Sequence, residues 1–136
     1  MRSDPDHLID ILRDTVCASV RADAPDLSAR QLALLLVVTS GRELTTVRGM
    51  AKLLAISKPA VSRSLDRLVE IGLAARAPDL RDGRSVLLVA TEAGYAHVAM
   101  LRSLMNEVAG PLLRPAPAMR RALQVVPPLR AQIGAD

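Results

Sequence analysis

Hydrophobic residues recur every three or four positions over most of the chain up to residue 109, a spacing typical of helices with one buried face. The helices predicted in this way span residues 4–21, 28–41, 46–54, 57–71 and 91–109. The period changes at residues 73–77 and 85–90, which we interpret as two short strands. Beyond residue 110 the chain is rich in proline and leaves room for at most one short helix, near residues 118–126.

The predicted helix ends carry residues that suit them. A hydroxyl at the start of a helix can accept a hydrogen bond from a free backbone N–H in the first turn, and four helices begin this way, at Ser28, Thr46, Ser57 and Thr91. Gly41 and Gly72 can adopt the left-handed conformation that ends a helix. The helix boundaries therefore rest on local chemistry as well as on hydrophobic spacing.

The third and fourth helices are separated only by a short link around Ala55 and Ile56, preceded by an extended segment at residues 43–45. A link this short forces two helices to cross at a steep angle, as in a helix-turn-helix. The two strands that follow are joined by residues suited to a turn: Pro78, Asp79, Asp82 and Gly83. The expected fold is mainly α with a small β-hairpin, an α+β arrangement.

Charge is concentrated in the same region. Residues 42–84 hold nine basic and five acidic residues, so this segment accounts for the whole net charge of +4. A local cationic surface attracts a polyanion such as nucleic acid or an anionic membrane, although an ordinary solvated face can have the same composition. Tyr95 is the single aromatic residue, so the core must be built from aliphatic side chains.

The fourth helix, SKPAVSRSLDRL at residues 57–68, combines an apolar stripe with an opposite face of small, polar and basic residues. Such a face can approach the major groove of B-DNA closely, where base edges are read by short polar side chains and by arginine. Pro59 is tolerated in the first turn, and the free N–H groups there suit a phosphate. The hairpin that follows carries Arg81 and Arg84, which could lie along phosphates or enter the minor groove.

From Leu27 to Leu101 the sequence resembles the MarR (multiple antibiotic resistance regulator) family of winged helix-turn-helix transcription factors. The resemblance is carried by LTTVRGMAKLLAISKPAVSRSLDRLVEIGL and, most specifically, by the wing and helix start DLRDGRSVLLVATEAG. It implies a homodimer formed by N- and C-terminal helices, residues 1–26 and 92–136, around a DNA-binding domain at residues 27–91. Each subunit would place its recognition helix, residues 57–71, in the major groove and its wing, residues 78–85, at the minor groove of an inverted-repeat operator in double-stranded DNA.

The resemblance also implies roles for particular residues. Positions facing the groove would be Ser57, Lys58, Ala60, Ser62 and Arg63. Arg67 and Arg81 would touch the DNA backbone, while Asp82 would brace an Arg84 that reaches the minor groove.

Two features depart from the family pattern. Ala55 stands where the family often has glycine. An alanine at this position would cost around 1 kcal/mol if its φ is positive. The tail after Gly110 is short and broken by proline where the family usually has a longer final helix.

Other candidate sites are few. Cys17 lies on the first helix, where one branch of the family senses peroxides; the alternative is a small buried hydrophobic residue. His7 and His97 lack partners at metal-ligand spacing and are expected at the surface or at an interface, so no metal or cofactor is expected. The family often binds small lipophilic or anionic effectors between its two lobes, in a pocket that Leu, Val and Met would line here. No catalytic signature is present, so an enzyme is not expected.

Two functions remain open at this stage. The first is a homodimeric, sequence-specific DNA-binding transcriptional regulator, a repressor in most families of this type. The second is a protein-interaction module that keeps the winged-helix scaffold without reading DNA. The longest apolar run, residues 32–38, is too short to cross a membrane, and the start of the chain does not resemble a signal peptide, so a cytoplasmic protein without membrane contacts is expected.

Overall fold

The computed structural model describes residues 5–41 and 45–112. Its elements are, in chain order, α1 (Pro5–Arg21), α2 (Ala29–Thr39), α3 (Val47–Leu54), α4 (Lys58–Glu70), β1 (Ala74–Pro78), β2 (Val86–Ala90) and α5 (Glu92–Leu112). The expected α+β fold is confirmed, with every boundary within three residues of its prediction. The short helix expected near residues 118–126 and the link residue Glu43 lie outside the described residues.

The core lies between α2, α3, α4 and the hairpin. Helix α2 is its centre, because Leu34 and Leu35 are almost fully buried and contact the elements on either side. The other largest side chains that are fully buried come from three elements: Met50, Val61, Leu65, Leu68 and Leu88. All are aliphatic or thioether side chains, as the near absence of aromatic residues requires.

Hydroxyl caps fix the start of each helix in this region. Ser28 and Gln31 form a reciprocal capping box on α2, in which each side chain accepts a hydrogen bond from the other residue's backbone N–H. The Thr46 hydroxyl accepts from Gly49 N–H at 2.9 Å, and the Ser57 hydroxyl accepts from Ala60 N–H at 3.2 Å. The cap predictions are therefore confirmed for α2, α3 and α4.

The turn between α3 and α4 is tight, as predicted for a helix-turn-helix. Ala55 adopts the left-handed conformation with φ of 53°, and the Ile56 N–H donates back to the Ala51 carbonyl at 3.1 Å. Left-handed backbone costs a residue with a Cβ about 1 kcal/mol or more. The strain anticipated at Ala55 is thus present, and it is the cost of turning directly into α4.

The hairpin is antiparallel, with Ala74 opposite Ala90 and Pro78 opposite Val86. It is anchored to the segment before α3, because the Leu88 N–H donates to the Thr45 carbonyl at 2.7 Å and the Thr45 hydroxyl donates to the Leu88 carbonyl at 2.6 Å. The wing is therefore attached to the helix-turn-helix at its base, while its far end projects.

Helix α5 returns along α1, and the two make the most extensive helix–helix contact of the chain. Ile11 and Thr15 of α1 are buried on the side facing the rest of the chain, and the Thr15 hydroxyl has no hydrogen-bond partner among the described residues. Within the described residues, no helix is both long and apolar enough to cross a membrane.

Candidate nucleic-acid interface

Helix α4 separates its residues cleanly into two faces. Val61, Leu65 and Leu68 are buried against the core, and they hold the helix in place. The opposite face exposes Arg63 and leaves Ser62 half-buried. The helix therefore presents a small polar and cationic surface, as its sequence pattern indicated.

The start of α4 is also accessible. Ser57 and Lys58 are exposed, and Pro59 occupies the first turn, where its missing N–H has no helical partner to lose. Ala60 is different, because its side chain is only 6% exposed and packs inward. The prediction that Ala60 faces the groove does not fit this burial; its small size serves the packing of α4 on the core.

The wing loop contains two consecutive turns of the same kind. Asp79 Oδ1 accepts a hydrogen bond from Arg81 N–H at 3.0 Å, and Asp82 Oδ1 accepts from Arg84 N–H at 3.0 Å. Each is an Asx turn, in which an aspartate side chain bonds the backbone two residues later. The segment DLRDGR is thus two Asp-x-Arg units, each folding on its own carboxylate.

These turns revise the expected role of Asp82. It does brace Arg84, but through the backbone N–H and not through the guanidinium group, and its second oxygen accepts from the Ser85 hydroxyl at 3.2 Å. Asp79 was read in the sequence only as a turn residue. It is 9% exposed, and its N–H donates to the Ser85 carbonyl at 3.3 Å, which closes the loop. The repeated Asp-x-Arg spacing is the signal that could have revealed its role.

Two arginines of the region are paired with carboxylates. Arg76 of β1 forms an ion pair with Asp66 of α4, which links the wing to the helix. Arg67 pairs with Glu70 at 3.3 Å within α4. Exposed pairs of this kind are weak, typically below about 1 kcal/mol, so Arg67 can exchange Glu70 for another anion.

The other basic side chains of α4 and the wing loop are not neutralised. Among the described residues, no carboxylate oxygen lies within ion-pair distance of Lys58, Arg63, Arg81 or Arg84. In the loop this follows from the Asx turns, because both aspartates bond the backbone. Helix α4 and the wing tip are therefore two exposed cationic elements joined through the Asp66–Arg76 pair.

A second unusual surface lies on α1. Five large apolar side chains there are at least half exposed, and they follow one another along the helix: Leu8, Ile9, Leu12, Val16 and Val20. Tyr95 and Met105 of α5 are also exposed, at 54% and 46%. Apolar surface concentrated in this way on one element is characteristic of an interaction site.

A cavity of about 360 Å³ opens between α1, the α1–α2 loop, α2 and α5. Its lining is mostly aliphatic, with Val16 and Leu101 among the residues and, contrary to expectation, no methionine. Asp23, Asp26 and His97 supply its ionisable groups. A ligand in this cavity would contact the terminal helices and the central helix at once.

Two sequence interpretations near this cavity need correction. His97, expected at the surface or an interface, is 9% exposed within the chain, and its burial lowers the pKa of the imidazole below the ordinary value of 6.5. Cys17 is exposed, so its interpretation as a small buried hydrophobic residue is wrong for the isolated chain. The other histidine, His7, is half-buried on α1. The described residues contain no group of three His, Cys, Asp or Glu side chains that could hold a metal ion.

The order of elements, with a helix-turn-helix followed by a hairpin and flanked by two long helices, defines a winged helix-turn-helix protein. Residues 25–85 match the sequence model of the MarR family. No curated protein matches the chain significantly.

Solved structures with the same fold span nearly the whole chain. The MepR–DNA complex of S. aureus is 19% identical, with a TM-score of 0.67, and the match covers 88% of this chain and 95% of MepR. RV1404 from Mycobacterium tuberculosis is 24% identical, with a TM-score of 0.65 and coverage of 91% and 92%. YusO from Bacillus subtilis is 18% identical, with a TM-score of 0.65 and coverage of 95% and 88%. At these identities the likeness establishes the fold.

Proposed function

We propose that the protein is a homodimeric, sequence-specific DNA-binding repressor of transcription. The observation that carries this proposal is the pair of exposed cationic elements, α4 and the wing tip, whose basic groups have no carboxylate partners among the described residues. Unpaired cations next to each other attract a polyanion, and a slim helix beside a projecting hairpin matches the two grooves of a duplex. That the solved MepR structure of the same fold holds DNA supports the proposal.

In this proposal α4 lies in the major groove and reads base edges. Arg63 can donate two hydrogen bonds to a guanine, while the Ser62 hydroxyl can donate or accept. Ser57 and Lys58 lie at the N-terminus of the helix, where the helix dipole and free N–H groups favour a phosphate. Arg67, after leaving Glu70, and Arg81 bind the DNA backbone, and Arg84 reaches the minor groove.

The five exposed apolar side chains of α1 form a ridge from Leu8 to Val20. This α1 ridge, together with the exposed Tyr95 and Met105 of α5, forms the dimer interface. Residues 1–26 and 92–136 are then dimerisation segments on either side of a DNA-binding domain at residues 27–91. A two-fold dimer presents two recognition helices to an inverted repeat, whose half-sites lie about one helical turn or 10 bp apart. The ridge supports this proposal because single solvated helices rarely expose so many large apolar side chains.

The cavity between the terminal helices and α2 takes a small lipophilic effector that releases the repressor from DNA. Binding there can shift the dimer segments relative to α2 and change the separation of the two recognition helices. Two aspartates and one neutral histidine line it, so the lining favours an uncharged or cationic molecule over the anionic effectors that the family also binds.

The DNA proposal is tested by selecting duplexes from a random pool and measuring their affinity over a range of salt concentrations. The logarithm of affinity should fall linearly with the logarithm of salt, with a slope of several units. Arg84→Ala should reduce that slope by about one unit for each wing, and Arg63→Ala should change the selected bases. Arg30→Ala removes the same charge from an exposed position at the start of α2, outside α4, the wing and the dimer segments, and should bind like wild type. If no duplex is bound at any salt, the protein is not a DNA-binding regulator.

The dimer is tested by measuring the mass of the full chain in solution by light scattering. Leu12→Glu places a charge in the middle of the α1 ridge and should convert the dimer to a monomer. Leu80→Gln, a change at an exposed leucine outside the ridge, should leave the mass unchanged. A wild-type monomer, or a dimer indifferent to Leu12→Glu, would refute this interface.

A further inference from the structure

Leu80 is the most exposed large hydrophobic residue among those the structure describes, at 97%. The other strongly exposed apolar side chains belong to helices or strands, and Val20 of α1 is the nearest in exposure, at 73%. Leu80 lies instead at the tip of the wing loop, among Asp79, Arg81 and Asp82. It adds nothing to the core and is free to contact another molecule.

The backbone around Leu80 is held in place. The Asp79 side chain accepts the Arg81 N–H, so Leu80 is the residue at the apex of this Asx turn. The Asp79 N–H donates to the Ser85 carbonyl and joins the two sides of the loop beneath it. Because Asp79 is itself only 9% exposed, the base of the wing loop is packed within the folded chain. Leu80 is therefore presented outward from an ordered turn, which lowers the entropy lost on binding.

The surroundings of Leu80 indicate what it meets. Arg81 follows it directly and Arg84 belongs to the adjoining Asx turn, and no carboxylate oxygen among the described residues pairs with either guanidinium. The minor groove is narrow and strongly negative, and it combines phosphates on its edges with apolar sugar walls within. Proteins that bind it often insert an apolar side chain such as leucine beside their arginines.

We propose that Leu80 is an apolar wedge that enters the minor groove next to Arg81 and Arg84. It packs against the sugar walls and base edges and bends the duplex toward the major groove. This inference rests on the proposed DNA-binding function and adds a determinant of specificity to it. Flexible pyrimidine–purine steps are the easiest to open, so the wedge selects TA or CA steps where the wings meet the operator.

An apolar wedge differs from an arginine in how its removal depends on salt. Losing a phosphate contact weakens binding and reduces the salt slope, because fewer counterions are released. Losing an apolar contact weakens binding at every salt concentration and leaves the slope unchanged. The same loss reduces bending, which energy transfer between dyes at the two duplex ends can measure.

The test uses the full chain and a duplex chosen from a random pool by the wild-type protein. Leu80→Ala and Leu80→Gln should weaken binding by about five- to thirtyfold, with an unchanged salt slope and a smaller bend. Both should keep the wild-type melting temperature and mass, because Leu80 supports no packing. Replacing a TA step at the wing position by GC should weaken wild type but not Leu80→Ala. Leu36→Ala, the same change at a leucine 44% exposed on α2, should bind like wild type.

Three results would overturn the wedge. If the Leu80 variants bind and bend DNA like wild type while Arg84→Ala binds weakly, the wedge is wrong and the DNA-binding function stands. If the Leu80 variants show a smaller salt slope, they have lost phosphate contacts and not an apolar one. If wild type binds no duplex, the proposed function fails and the wedge fails with it.

Discussion

Gly94, in the first turn of α5, lies against the backbone carbonyl of Leu73, the residue that leads from α4 into β1. A Cβ at position 94 would overlap the Leu73 oxygen, and it would also lie 3.3 Å from Leu35 Cδ1 in the core. Thr91 closes the same junction, because its hydroxyl donates to the Gly72 carbonyl at 2.5 Å and its N–H donates to the Leu73 carbonyl at 3.2 Å. The hydroxyl also accepts from Gly94 N–H at 3.1 Å, which confirms Thr91 as the cap of α5. Helix α5 is thus fixed directly to the junction between α4 and the hairpin.

Replacing Gly94 by alanine should therefore destabilise the fold. The obstructing atoms belong to backbone, which cannot rotate away, so α5 or the α4–β1 turn must shift; we expect a loss of about 1–3 kcal/mol in the free energy of unfolding. Urea denaturation followed by circular dichroism measures it. Gly110→Ala is the matched control, because a Cβ there meets nothing within 4 Å and alanine is the better helix former. A Gly94→Ala protein as stable as wild type would contradict the close approach.

Replacing Ala55 by glycine should stabilise the chain. Its φ of 53° strains a residue with a Cβ, and glycine relieves this strain at the expense of a more flexible unfolded chain. We expect a net gain of about 0.5–1 kcal/mol in the free energy of unfolding. Ala96→Gly makes the same chemical change at an exposed helical position of α5 and should cost about 1 kcal/mol. Losses of equal size in both variants would show that Ala55 is not strained.

Local features of this fold could be read from the sequence because each depends on neighbours along the chain. The hydroxyl caps at Ser28, Thr46, Ser57 and Thr91 act within four residues, and the turn at Ala55 is set by the length of the link. The wing loop was read as a turn for the same reason. The hydrogen bond that Asp79 accepts from the Arg81 N–H was not predicted, although the repeated Asp-x-Arg spacing indicates it.

Features that depend on contacts between distant segments could not be read in this way. Ala60 lies next to the apolar stripe of α4, and a methyl side chain is found on buried and exposed helix faces alike. Its burial is decided by the packing of α4 against the core. The burial of His97 requires α1, some 80 residues earlier, to lie across α5. Cys17 is exposed because that same packing selects Ile11 and Thr15 as the inner face of α1.

Substitutions at Asp82 can distinguish the effect of wing charge on DNA binding from the effect of the Asx turn that orders the loop. Asp82→Ala removes one negative charge from the wing and also removes the acceptor for the Arg84 N–H. If ordering of the loop dominates, this variant should bind duplex DNA about two- to tenfold more weakly, from the loss of about 0.5–1.5 kcal/mol. Asp82→Asn removes the same negative charge and keeps the acceptor oxygen, so it should bind at least as tightly as wild type. Equilibrium titration at fixed salt compares the two; tighter binding by both variants would mean that charge dominates and the turn does not order Arg84.

His97 connects stability to pH through its position at the cavity. It belongs to α5 and lines the cavity together with Val16 and Val20 of α1, and the aspartates that share this lining, Asp23 and Asp26, lie on the α1–α2 loop. Burial is the cause of its lowered pKa, so the folded chain holds the imidazole neutral under conditions in which the unfolded chain begins to protonate it.

The free energy of unfolding should therefore fall as pH drops below 6.5, the ordinary pKa of histidine, and be unaffected by this group above it. Between the lowered pKa and 6.5 the unfolded chain binds more protons than the folded chain, so stability rises with pH, by at most about 1.4 kcal/mol per pH unit for one proton. His97→Gln, which cannot be protonated, should reduce the fall of the melting temperature as pH drops below 6.5 and leave its dependence above 6.5 unchanged. His7→Gln removes the other histidine, which is only half-buried, and serves as the matched control. If His97→Gln keeps the wild-type dependence, the buried imidazole is not its source, and other groups must take up the protons on unfolding.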